Sequence, residues 1–340
     1  MKTDRLQPDN FTGCLLGGAV GDALGADTEF MSLTNILNKY GTTGVTNYTE
    51  FADGIGIFTD DTQMTLFTVE GLLSVNTNAT TNNYVTAVYE AYLRWLITQT
   101  HSYQGYMQTP SAETAGLMAH KELFRLRAPG ITCMGSLKSG VMGTIEQPIN
   151  HSKGCGGVMR VAPAGLLFWK NATQAFSIAA KLAAITHSHP SGYLSAGALA
   201  AILAFLVHGH SLQEAINQTL PILQQWNNHA ETTKAIRDAI ALYQTTKPDF
   251  IHLAKLGEGW VGEEALSIAL YCSLHFETDV KNAIILAANH SGDTDSTAAI
   301  TGNIVGLMNG INAIPASWQQ NLQLADLVVQ YGQKLFDKAR

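Results

Sequence analysis

Four glycines spaced four residues apart, Gly13, Gly17, Gly21 and Gly25 in TGCLLGGAVGDALGA, constrain this 340-residue chain more than any other feature. On a helix that spacing makes a slowly drifting stripe without side chains. Each glycine in a helix interior costs up to about 1 kcal/mol relative to alanine, so the stripe needs a compensating close contact. A membrane-embedded GxxxG face would supply one, but the segment is short and carries Asp22. Tight packing at the centre of a helical bundle is the expectation.

The rest of the chain fits that frame. Apolar residues recur at helical spacing over 59–74, 83–99, 113–126, 171–186, 191–208, 229–244, 262–276, 279–289, 294–309 and 317–338, which predicts a mostly α fold. Strand-like stretches such as GVTNYTEF are short and isolated, and no sheet is needed. A length prior of roughly 150 residues per domain allows two domains, yet no break in composition divides the chain, and residues 1–340 read as a single domain. With 46% hydrophobic and only 14% charged residues, a large buried core is expected and most acids should have a definite task. The polar run 74–83 reads as a loop. The Gly- and Pro-rich stretch from 128 to 157 is long for a connection inside a compact domain and is expected to line a site.

A formal net charge of -7 offers no broad basic field for nucleic acid. Cys14, Cys133, Cys155 and Cys272 lie far apart with no CxxC pair, so they read as free thiols in a reducing compartment. The charged N-terminus lacks a signal-peptide core, and no run reaches the roughly 18 apolar residues of a membrane span. A cytoplasmic protein without membrane partners is the default.

In FTDDTQMTLFTVEGLL, Asp60 and Asp61 stand where an apolar helix begins. One acid would suffice as an N-cap. The arrangement recurs in NHSGDTDSTAAITGNIVG, where Asp293 and Asp295 with Thr294, Ser296 and Thr297 precede a second apolar helix. Glu29 adds a further acid just after the glycine stripe. Carboxylates gathered in a low-dielectric pocket repel one another and take up protons unless a cation compensates. Hard oxygen ligands of this kind suit magnesium, manganese or calcium, and four or five carboxylates suit two such ions if the segments converge.

Taken in order, GCLLGGAVGDALGADTEF, FTDDTQMTL, KGCGGVMRVAPAGL, THSHPSGYLSAGALAA, GWVGEEALSIALYC and NHSGDTDSTAAITGNIVG resemble the ADP-ribosylglycohydrolases, from about Phe11 to Asn309. The resemblance implies an all-α, orthogonally packed helical bundle with a metal-lined cleft. It also implies hydrolysis of the glycosidic bond between ADP-ribose and a modified acceptor, assisted by two Mg²⁺, with Mn²⁺ as a substitute. Carried over by motif, Thr59, Asp60, Asp61, Asp293, Asp295 and Ser296 are the expected metal ligands, and Glu29, with Asp60 and Asp295, the expected catalytic acids. Ser152, Lys153, Gly154, Gly156 and Gly157 would present a charge, a hydroxyl and backbone donors to a diphosphate, as anion-binding nests do. His187 would lie near the bound ADP-ribose, and His189 has the weaker claim. Cys155 stands where many relatives have asparagine. Arg160 reads as a buried structural post and Asp22 as a packing or supporting residue.

The partner implied is an ADP-ribosylated protein, most readily one modified on arginine, with ADP-ribose as product; an ADP-ribosylated base stays open. The reaction would reverse a regulatory or a toxin-made modification, as an immunity protein does. Two other readings compete. Helical His-Asp phosphohydrolases need an adjacent His-Asp dipeptide, which this chain lacks. A noncatalytic ADP-ribose-binding or crystallin-like relative should have shed its costly acids, yet all the expected ones are present.

Overall fold

The computed structural model describes residues 5–49, 53–76, 79–109, 111–113 and 115–340. Its helices are α1 (Pro8–Gly25), α2 (Leu33–Tyr40), α3 (Asp60–Ser74), α4 (Thr81–Thr100), α5 (Tyr103–Met107), α6 (Ile131–Lys138), α7 (Ala162–Leu167), α8 (Ala172–Ala184) and α9 (Pro190–Val207). Then come α10 (Leu212–Leu223), α11 (Ala230–Thr245), α12 (Phe250–Leu253), α13 (Gly262–His275), α14 (Val280–Ala287), α15 (Thr294–Asn309), α16 (Ala316–Gln320) and α17 (Ala325–Ala339). The fold is all-α. Among the described residues the only β pairing is two isolated bridges, Gly56 with Leu322 and Gly154 with Val261. The segment 44–49 forms no strand, and Glu50 and Phe51, which complete that candidate, lie outside the described residues.

The glycine stripe finds its partner in α15. A Cβ on Gly13 would strike the Gly306 carbonyl, on Gly17 that of Gly302, on Gly21 that of Ala298 and on Gly25 that of Thr294. As the first number rises by four the second falls by four, so α1 and α15 run antiparallel with their backbones in contact. Gly302 and Gly306 meet the backbone of Gly17 and Gly13 in the same way. Both helices are buried nearly end to end. Around this pair pack α17, against α1, and α9, α13 and α14, against α15, forming one contiguous apolar core.

Helix α9 is long and apolar enough, by length and composition, to cross a membrane, yet 89% of it is buried inside the protein. It is a core helix packed against α7, α8, α10 and α13.

Two expected helices are interrupted. Among the described residues of 113–126 the chain makes only short 3₁₀ turns at Gly116–Ala119 and Lys121–Leu123. Gly116 has φ 64°, and the Leu117 N–H is drawn onto the Glu70 carboxylate at 3.0 Å instead of continuing a helix. The 317–338 segment splits into α16 and α17. Its linker bonds to Gly56, which donates to Asn321 O at 2.8 Å and accepts from Gln323 N at 2.9 Å, and Leu324 takes a left-handed φ of 59° before α17 restarts. Helices α2, α5, α6, α7, α10 and α12 appear beyond the expected set.

If the α1–α15 contact holds the bundle together, Gly21→Ala should destabilise the protein by on the order of 3 kcal/mol or prevent folding, because a methyl group would meet rigid backbone. At Gly135, in α6, an added Cβ meets nothing within 4 Å, so Gly135→Ala should be neutral or add about 0.5–1 kcal/mol. Chemical denaturation of the two variants checks both directions.

Candidate active site

The end of α1 and the start of α15 lie at the same pole of the bundle, and α3 begins there too. Asp22, near the C-terminal end of α1 and fully buried, is the clasp. Its carboxylate accepts from Thr59 N at 2.8 Å, Thr62 N at 2.9 Å and the Thr62 hydroxyl. It thereby caps the N-terminus of α3 from a neighbouring helix, beside the Thr59 hydroxyl, which accepts from Asp61 N at 3.3 Å. Free N–H groups and the helix dipole make such a terminus a good seat for negative charge. The same holds for α15, where Asp293 is the N-cap and Ser296 N donates to Asp293 at 3.3 Å and to Asp295 at 2.9 Å.

The two clusters meet directly: the Ser296 hydroxyl donates to Asp61 Oδ2 at 2.8 Å across 235 residues of sequence. Asp60 Oδ2 accepts from Gly130 N at 3.2 Å, which ties in the long 128–157 stretch. Glu29 is placed by the turn after α1. There the Thr28 hydroxyl lies 2.7 Å from Ala288 O and 3.0 Å from Thr294 Oγ1, whose own hydroxyl donates to Gly25 O at 2.9 Å. The resulting cavity has a volume of about 310 Å³. Glu29, Asp60, Asp61, Asp293, Asp295 and Ser296 line it together with Gly154, Cys155, Gly156 and His187. Phe30 and Trp260, stacked at 5.3 Å between ring centroids, stand at its rim.

Burial, followed by the charges of Asp295, Asp293, Asp60 and Asp22, pushes the Glu29 carboxyl up to about 10. Burial and then Asp295 raise Asp22 to about 7. Asp60, Asp61 and Asp293 rise well above the ordinary aspartate value for the same two reasons, and burial raises Asp295. None of the ion pairs among the described residues involves these six acids. Arg127 feels the charge of Asp22, but its hydrogen bonds go to the Phe58 and Glu122 carbonyls and to Gln323.

The expected residues are thus brought together in part. Gly154, Gly156 and His187 reach the cavity wall. Ser152, Lys153 and Gly157 stay behind it. The Lys153 ammonium is held 2.5 Å from both Glu231 and Glu263 and is turned to an ion-pair network instead of a diphosphate. The Ser152 hydroxyl supports the loop, at 3.3 Å from Gly154 N and 3.0 Å from the Thr132 hydroxyl. Gly157 packs on Ala183 and Gly192. His189 caps α9, accepting from Ser191 N at 3.2 Å. Thr59 serves as a cap and does not line this cavity. Residues 128–133 line the cavity, as the long 128–157 stretch was expected to do; Phe30 and Trp260 were not foreseen as site residues, nor was the partner of Cys155, whose thiol donates to Asp293 Oδ2 at 2.7 Å.

In composition the cluster fits hard divalent cations: carboxylate and hydroxyl oxygens, buried, with no basic side chain paired to them among the described residues. The side chains are bonded to one another and to backbone N–H groups, and among the described residues no three His, Cys, Asp or Glu side chains form a ready-made metal cage. Loading would require these carboxylates to exchange hydrogen bonds for an ion.

Raised carboxyl values give a signed prediction. The folded state holds protons that the unfolded chain releases near pH 4, so its stability is fullest at low pH and falls as pH climbs through the raised values. In EDTA, between pH 6.5 and 8.5, stability should drop by about 1.4 kcal/mol per pH unit for each extra proton held. Asp295→Asn should flatten that slope, and Mg²⁺ should raise the melting temperature more at pH 8.5 than at pH 6.5.

Known proteins share both the sequence and the fold. The sequence model of the ADP-ribosylglycohydrolase family matches residues 1–340. The chain is 25% identical over 333 residues to the ADP-ribosylarginine hydrolase Tri1 of Serratia proteamaculans, covering 96% of this chain and 79% of that one. It is 25% identical over 326 residues to the ADP-ribosyl-[dinitrogen reductase] glycohydrolase of Rhodospirillum rubrum, covering 93% and 91%. A solved structure titled ADP-ribosylglycohydrolase-related protein complex shares the fold, with a TM-score of 0.70 at 23% identity and 99% of each chain covered.

Proposed function

The chain belongs to the ADP-ribosylglycohydrolase family of ADP-ribosyl hydrolase enzymes, and on that premise we propose that it is a magnesium-dependent hydrolase releasing ADP-ribose from arginine of a modified protein. The observation that carries this reading is the Ser296–Asp61 hydrogen bond, which joins both acidic helix starts into one cavity. Relatives named for ADP-ribosylarginine and for an ADP-ribosylated dinitrogen reductase support a protein-linked acceptor. The reaction would reverse a regulatory or toxin-made modification.

Thr59, Asp60, Asp61, Asp293, Asp295 and Ser296 would hold two Mg²⁺, with Thr59 contributing from the α3 cap. Bound there, such ions supply positive charge that keeps the acids ionised, orients ribose hydroxyls and makes a bound water more acidic. The chain's own residues do the rest. Glu29 accepts the proton of the attacking water at a carboxylate oxygen as the water oxygen bonds to the anomeric carbon of the ribose. The bond from that carbon to the guanidino nitrogen breaks, the nitrogen keeps the electron pair, and it takes a proton from solvent at the open rim. The oxocarbenium-like charge that develops meets fixed negative charge on the remaining carboxylates. The backbone of Gly154 and Gly156 orients the nucleotide.

Purified protein should be incubated with arginine-, serine- and nucleic-acid-linked ADP-ribose, with Mg²⁺ and with EDTA. Release of ADP-ribose from the arginine-linked substrate alone, abolished by EDTA, is the expected result. Release from the serine-linked substrate would replace the acceptor, and no release from any substrate would overturn the enzymatic reading. Glu29→Gln should lower kcat by about 100-fold or more while calorimetry still detects Mg²⁺ uptake. Full turnover in that variant would remove Glu29 from its role.

A further inference from the structure

Arg160 is wholly buried, and among the described residues no carboxylate pairs with it. Its guanidinium lies over the Tyr92 ring at 4.4 Å. Nη1 donates to Cys133 Sγ at 3.2 Å and to Met64 Sδ at 3.4 Å. Nη2 donates to Thr186 Oγ1 at 2.6 Å, and Nε has no partner among the described residues. Thr186 Oγ1 also lies 2.8 Å from His187 Nδ1. A guanidinium can only donate, so Thr186 Oγ1 accepts from Arg160 and has one hydrogen left to give. The other acceptor near that hydroxyl is the Cys133 sulfur, a weak one already bonded to Arg160. The imidazole nitrogen is the stronger acceptor. His187 Nδ1 is then the bare nitrogen, and the ring hydrogen sits on Nε2, beside the Gly154 and Gly156 backbone on the cavity wall.

The geometry points to Arg160 and Thr186 as positioning residues: through the Thr186 hydroxyl they hold His187 in its Nε2–H form, an uncharged donor presented to a phosphate or ribose oxygen of the ligand. The opposite tautomer would turn a lone pair towards that oxygen and repel it. Burial and the charge of Arg160 also push His187 down to about 3, so the ring stays neutral at working pH. The tautomer follows from protein contacts alone, whereas the identity of the acceptor oxygen rests on the proposed ADP-ribosyl hydrolase reading.

Nitrogen NMR of protein labelled at histidine separates these parts, with the His187 signals identified by their loss in His187→Gln. Wild type should show Nδ1 as the unprotonated nitrogen and Nε2 as N–H, unchanged from pH 6 to pH 8. Thr186→Val, which keeps shape and removes the hydroxyl, should mix or swap the tautomers and raise the Kd for free ADP-ribose about tenfold, as loss of one buried hydrogen bond would. Thr186→Ser should restore both. A wild-type ring protonated on Nδ1, or a Thr186→Val ring with unaltered tautomer, overturns the relay. A swapped tautomer with unchanged Kd overturns the donor role. If the wild-type tautomer is as expected but free ADP-ribose does not bind, the functional reading fails while the relay stands. Should Thr186→Val not fold, the wild-type spectrum alone decides the tautomer.

Discussion

The contact of α1 with α15, backbone against backbone, sets the position of everything at the acidic pole. Because Gly25 opposes Thr294 and Gly13 opposes Gly306, the C-terminal end of one helix is level with the N-terminal end of the other. Asp22 near the end of α1 and Asp293 and Asp295 at the start of α15 therefore share a pole without any loop having to bring them there. Asp22 then reaches sideways to cap α3, adding Asp60 and Asp61. Side chains at the glycine positions would push the helices apart by the width of a methyl or more, and the Asp61–Ser296 bond at 2.8 Å would be among the first to break.

That architecture concentrates negative charge where the protein interior is least able to tolerate it. The cost is offset in part by the geometry of helix starts. Asp22 takes the N–H of the α3 cap residue Thr59 and that of Thr62 in its first turn, and Asp293 and Asp295 share one N–H of α15. Such charge-assisted bonds are roughly twice as strong as neutral ones. They do not suffice for six acids, as the uniformly raised carboxyl values attest. What remains is a standing demand for protons or for cations, and this demand is the physical content of calling the cavity a candidate metal centre.

Much of this was legible in the sequence because it rests on local rules. Period-four glycines, the apolar periodicity of α8, α9, α11, α13, α14 and α15, and hydroxyl-flanked acids at helix starts are properties of neighbouring residues, and each was found where expected. The failures concern competition from distant partners. Nothing near Leu117 in sequence announces that Glu70 will take its N–H, and nothing near Leu324 announces Gly56. Lys153 sits in a glycine-rich loop whose local character suggests anion binding, yet Glu231 and Glu263, some 80 and 110 residues later, capture its ammonium. A sequence motif reports which groups are available; the long-range contacts report which of them are already occupied.

The placement of Arg160 shows the same logic applied to charge. A guanidinium enclosed by Tyr92, Cys133, Met64 and Thr186 has surrendered its hydration for soft or neutral partners, an arrangement that would be costly in an otherwise neutral core. Here the charge is shared among a ring face, two sulfurs and a hydroxyl. Burial, and then the charge of Arg160, disfavours protonation of the adjacent His187, so the ring on the cavity wall stays a neutral donor. This buried cation is thus kept off the cavity surface, with Thr186 between it and the histidine that lines the wall.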